Sequence, residues 1–82
     1  MFLFVVENKF KITGSGLILT PGLGDKVKFV KVGTEIKLVR PDKSELVCSI
    51  KGIMFEGNHD ILISSEFADM DIPVGTQVCT ND

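Results

Sequence analysis

The chain has 82 residues, 44% of them apolar and 24% charged, which suits one small globular domain spanning residues 1–82 and excludes both a disordered chain and a second domain. Its net charge of −2 argues against tight, sequence-independent nucleic-acid binding, which needs several unopposed cations facing phosphates. No run approaches the roughly 18 apolar residues of a membrane span.

Met1 to Val6 is too short, and lacks the basic start, for an export signal. A cytoplasmic protein is therefore expected, with Cys48 and Cys79 reduced. Phe2, Leu3, Phe4, Val5 and Val6 are apolar on both alternating faces, so this strand is expected to be covered on both or paired with another copy of the chain. Glu7-Asn8 reads as a turn. In the next strand Lys9 and Lys11 alternate with Phe10 and Ile12, the period-two signature of one wet and one buried face. Gly14 and Gly16 flank Ser15, and glycine within a strand pattern marks a bend, here read as a barrel corner. Leu17, Ile18 and Leu19 resume the strand with both faces apolar.

Pro21 to Asp25, with two glycines, predicts a mobile surface loop. Lys26 to Val32 sets Val27 and Phe29 opposite Lys28 and reads as a strand-like arm ending at Gly33. Glu35 to Arg40 is a strand, Pro41 to Ser44 a turn, and Glu45 to Lys51 the returning strand with Leu46, Cys48 and Ile50 inward. Gly52 shifts the phase before Ile53 to Phe55. Glu56 to Asp60 is a hairpin connection to Ile61–Ser64. Glu66 to Met70 is too short for a stable helix and reads as loop, the segment from Asp71 to Thr76 as a turn, and Gln77 to Thr80 as the last strand. No stretch sustains a helical period. The pattern predicts an all-β fold, a small closed barrel of about six or seven strands with Greek-key-type connections, because closure removes exposed edges.

Reactive constellations are scarce. No Gly-Lys dipeptide occurs, so a phosphate-binding loop is not expected, and Gly14-Ser15-Gly16 and Gly22-Leu23-Gly24 lack the third glycine of a dinucleotide fingerprint. His59 is the single histidine and reads as an exposed turn residue. Glu66, Asp69 and Asp71 match no calcium-loop spacing and read as solvated acids. Ser15 lacks the nucleophile-elbow context. Neither an enzyme nor a bound metal or cofactor is expected. Charge, however, is distributed unevenly. Before Gly52 nine basic residues meet five acids, a net of +4, and after it come six acids and no cation. Beside the ordinary reading of solvated faces stands a polarised surface, with Lys9, Lys11, Lys26 and Lys28 as a cationic face for RNA or a ribonucleoprotein.

Phe10-Lys-Ile-Thr-Gly14-Ser-Gly16-Leu-Ile-Leu-Thr20-Pro-Gly22 resembles the opening of the second, β-barrel domain of the translational GTPases, the elongation factor Tu-like family. Lys31 to Val39 is similar to that family's strand entry around Val-Gly-Asp, Ile50-Lys51-Gly52-Ile53 to its Val-x-Gly-Ile strand, and the segment from Asp71 to Val78 to its closing segment. The resemblance covers nearly the whole chain in order. It implies a stand-alone translation-factor-like barrel acting as a non-enzymatic binding module, with RNA or a ribosome-associated protein as its partner. Of the family's adenosine pocket, Ile12, Gly14 and Ile18 carry over by type. Ser15 and Met54 stand where the family has Arg and Glu, and the three matching positions read equally as core and corner residues. The alternative function is protein interaction or self-assembly through Phe2 to Val6.

Overall fold

The computed structural model describes residues 1–70 and 72–82, and of Ala68 and Asp69 the backbone alone. The chain forms eight strands: β1 Phe2–Val5, β2 Asn8–Ile12, β3 Gly16–Thr20, β4 Glu35–Val39, β5 Glu45–Ser49, β6 Gly52–Ile53, β7 Ile61–Ile63 and β8 Gln77–Thr80. They make two antiparallel four-stranded sheets, in the order β1-β8-β4-β5 and β2-β3-β7-β6.

All-β is therefore right, but the closed barrel is corrected: neither sheet closes on itself. The physical reason lies in where the chain bends. Val6 still pairs with the first sheet, donating to Thr76 O at 2.8 Å, whereas the Glu7 N–H donates to Thr20 O of the second at 2.9 Å. Ile50 donates to Thr34 O at 2.9 Å, and the Lys51 N–H to Leu62 O at 2.8 Å. Bends of this kind carry a strand from one packed sheet to the other. The glycine pair expected to make a corner does something else. Asn8↔Thr20 through Ile12↔Gly16 is an unbroken antiparallel register, so Gly14 lies in the turn of a hairpin within one sheet and Gly16 opens its second strand. The Ser15 N–H closes that turn on Ile12 O at 2.9 Å.

The core between the sheets is built from Leu17 and Leu19 of β3, Ile36 and Leu38 of β4, Cys48 and Ile50 around the β5 end, Ile61 and Ile63 of β7, and Val78 of β8. β1 contributes Leu3 and Phe4, adjacent residues that an ordinary strand would send to opposite faces. A register shift between Phe2 and Phe4 turns both inward, as a bulge does. Thus Leu3, Phe4 and Val6 are core residues, and only Phe2 and Val5 remain on the surface. Among the described residues Thr76 is the buried polar one, and its hydroxyl donates to Pro73 O at 2.7 Å.

Three further expectations are overturned by tertiary packing. The strand-like arm is a 3₁₀ helix, Gly24–Phe29. Val27 and Val30, three residues apart as that helix requires, pack on the core, while Phe29 is exposed. The loop before it is fixed rather than mobile. Leu23 is buried, the N–H groups of Leu23 and Gly24 donate to His59 O and Asn58 O, and Asn58 Nδ2 returns a bond to Pro21 O at 2.8 Å. The stretch read as loop at Glu66 to Met70 holds a second 3₁₀ helix, Ser65–Asp69. Asp71, at the start of the predicted closing turn, lies outside the described residues.

Candidate functional site

The register decides which way each predicted site residue faces. Opposite residues of an antiparallel pair share a face, and Lys9↔Leu19 and Lys11↔Leu17 put the β2 lysines on the side of the buried leucines. Phe10 and Ile12, expected to be buried, lie on the outer face instead and are 52% and 42% exposed. The polarity of β2 is inverted because it is an edge strand, where inward-pointing charge discourages pairing with another chain. The Lys9 ammonium donates to Ile72 O at 2.5 Å.

The four lysines of the expected cationic face are split between two elements, Lys9 and Lys11 on β2 and Lys26 and Lys28 on the first 3₁₀ helix. Lys26, on the first 3₁₀ helix, donates to Phe2 O of β1 at 3.0 Å and lies over the Phe2 ring, 4.9 Å from its centre. Lys28 lies over Phe29 at 5.4 Å. The ammonium groups of Lys9 and Lys26 are thus both engaged with main-chain carbonyls. Ile12 and Ile18 do share the outer face of the second sheet, and Gly14 sits in the adjoining turn.

That outer face carries an ordered apolar row. Phe10 pairs with Ile18, Ile18 with Leu62, and Leu62 with Gly52, so one register line crosses all four strands. Ile12 stands beside it, paired with Gly16. Leu62 spreads over both glycines: a Cβ on Gly16 would come 3.1 Å from its Cδ1, and one on Gly52 3.4 Å from its Cδ2. The result is a low, flat patch.

A concavity of about 470 Å³ opens along β5. Val47, Cys48, Ser49, Ile50 and Lys51 line one wall and Ser64, Glu66 and Phe67 the other, with Glu35 at one end. Burial pushes the Cys48 thiol up to about 11, so it stays protonated and unreactive at neutral pH. Among the described residues no three His, Cys, Asp or Glu side chains come together as a metal cluster would require, and no helix is long and apolar enough to cross a membrane. The side chains of Asp69 and Asp71 lie outside the described residues. His59 is half-buried, with Nδ1 3.0 Å from Met54 O.

The β5 groove escaped sequence reasoning because its second wall comes from residues 64–67, whose docking no local pattern encodes. The outer row was legible in part, since a lysine-flanked Phe10 and Ile12 announce a two-faced strand, although not which face is inward. No protein family, curated protein or solved structure matches the chain.

Proposed function

We propose that this chain is a non-enzymatic binding module that works by protein association, and that the outer face of the β2-β3-β7-β6 sheet is its contact surface, docking against a second copy of itself. The observation that carries this reading is the apolar register line Phe10, Ile18, Leu62, which runs across three adjacent strands of one outer sheet face. Two such faces stack as sheets do, about 10 Å apart, and cover apolar surface that a lone monomer leaves wet.

Self-association through Phe2 to Val6 as a whole has less support, because Leu3, Phe4 and Val6 are occupied in the core. RNA docking on Lys9, Lys11, Lys26 and Lys28 would ask Lys9 and Lys26 to give up carbonyl partners. The resemblance to the translational GTPase barrel domain rests on its sequence motifs.

Sedimentation over a rising concentration series tests the proposal. A shift from the 9.0 kDa monomer to a dimer, abolished by Phe10→Lys, is expected. A monomer throughout would overturn it, and salt-sensitive binding of a labelled tRNA at low ionic strength would move the reading to the lysines.

A further inference from the structure

The free edge of β5 offers a second, different kind of site. In the β4–β5 hairpin the Arg40 N–H donates to Ser44 O at 2.8 Å and the Ile50 N–H to Thr34 O at 2.9 Å. Hydrogen-bonded and non-bonded pairs alternate along an antiparallel ladder, and the register Glu35↔Ser49 through Val39↔Glu45 is unbroken. Residues 44, 46, 48 and 50 therefore bond to β4, and the N–H and C=O groups of Glu45, Val47 and Ser49 point away from it. Among the described residues no group meets the main chain of Val47 or Ser49 on that side. These two residues also line the concavity against Glu66 and Phe67. An unpaired strand edge facing a short helix across a groove is the arrangement that receives an added strand.

We infer that this groove binds an extended peptide segment of a partner protein, which adds to β5 as an outer strand and carries basic side chains. The main chain of Val47 and Ser49 supplies the ladder, and Val47, 46% exposed, together with Phe67 supplies apolar contact. The charge of the occupant follows from the walls. Glu66 makes no hydrogen bond or ion pair among the described residues, Glu35 is held through its carboxylate by Asn81 Nδ2 at 2.6 Å, and the one lining cation, Lys51, already donates to Ser15 O at 2.6 Å. A lysine or arginine on the added strand gains attraction from the two carboxylates. The inference concerns a different edge from the outer-face contact and stands whether or not the chain dimerises there.

A displayed library of linear peptides about eight residues long, near the usual upper strand length, is the probe. Selection should enrich alternating sequences with Lys or Arg, and a synthetic winner should slow amide exchange at Val47 and Ser49. Val47→Pro removes an outward N–H that the β4 ladder does not use, a change edge strands tolerate, and should weaken the peptide at least about tenfold. A winner N-methylated on the main chain should lose binding to the unaltered protein, which guards against a misfolded variant. Glu66→Lys should reverse the charge preference. The inference is overturned if no sequence enriches, if acidic sequences win, if N-methylation leaves binding unchanged, or if the two amides are already protected by β5 pairing with a second copy.

Discussion

Two glycines separated only by Ser15, Gly14 and Gly16, differ in what an added methyl group would meet. At Gly16 (φ +150°) a Cβ would fall 2.1 Å from the main-chain Ile63 O, while at Gly14 (φ +80°) it would meet open space. Gly16→Ala should therefore cost about 2 to 4 kcal/mol, combining backbone strain with a clash that only strand displacement relieves. Gly14→Ala should cost about 1 to 2 kcal/mol, the left-handed penalty alone. Urea unfolding of the two variants separates these values. Cys48 is tested by pH. Its thiol, raised by burial from 9.0 to about 11, holds its proton in the folded chain over a range where the unfolded chain releases it. The folded state binds more protons there, so stability is unaffected below about 9 and falls as pH rises from 9 through 11. Cys48→Ala should remove that alkaline loss, measured as the change in urea midpoint between neutral and alkaline buffer.

At the scale of elements, the β4–β5 hairpin is held by its turn. Ser44 donates to Asp42 Oδ1 from its hydroxyl at 2.6 Å and from its main-chain N–H at 2.9 Å. The side-chain bond, followed by the main-chain one, holds the Asp42 carboxyl below its ordinary 3.8. Because the folded state favours the ionised form, this contribution is present above that ordinary value and is lost as pH falls below it. Ser44→Ala should move the Asp42 carboxyl titration, followed by NMR, back toward 3.8. In the same turn Lys43 adopts φ 76°, a conformation that costs a side chain about 1 to 2 kcal/mol and glycine little. Lys43→Gly should stabilise the protein by up to about 1 kcal/mol, raising the thermal midpoint by about 4 to 8 °C. β2 shows the opposite economy: its inward lysines and outward Phe10 and Ile12 make sense only for a strand with one unpaired side.

For the whole molecule, stability concentrates between the sheets. Ile36 and Leu38 are fully buried while Phe55 is 90% exposed. Leu38→Ala should cost about 2 to 5 kcal/mol, much of the roughly 5 to 15 kcal/mol that a domain of this kind has, whereas Phe55→Ala should stay within about 0.5 kcal/mol. Thermal unfolding followed by circular dichroism compares them. The surface ion pair between Lys37 and Glu45, 3.9 Å apart, adds little. The two proposed surfaces belong to different sheets, the outer-face row to β2-β3-β7 and the free edge to β5, so each can be altered without touching the other.

From the residues alone one could read the all-β class, the β4–β5 and β6–β7 hairpins, the inward set Leu46, Cys48 and Ile50, and the last strand, because each follows from alternation and turn chemistry acting over a few neighbours. The sequence was also enough to mark Gly14 to Gly16 and Pro21 to Asp25 as special. What these segments do was settled only in three dimensions. The glycines serve a hairpin because β2 pairs with β3 without a break, and the Pro21 loop is fixed because residues 58 and 59 accept its N–H groups. The inward side of β2, the 3₁₀ form of residues 24–29, the two open sheets in place of a closed barrel and the groove beside β5 all depend on contacts between distant segments. Periodicity records which residues share a face, but the direction that face takes is decided by the partner packed against it.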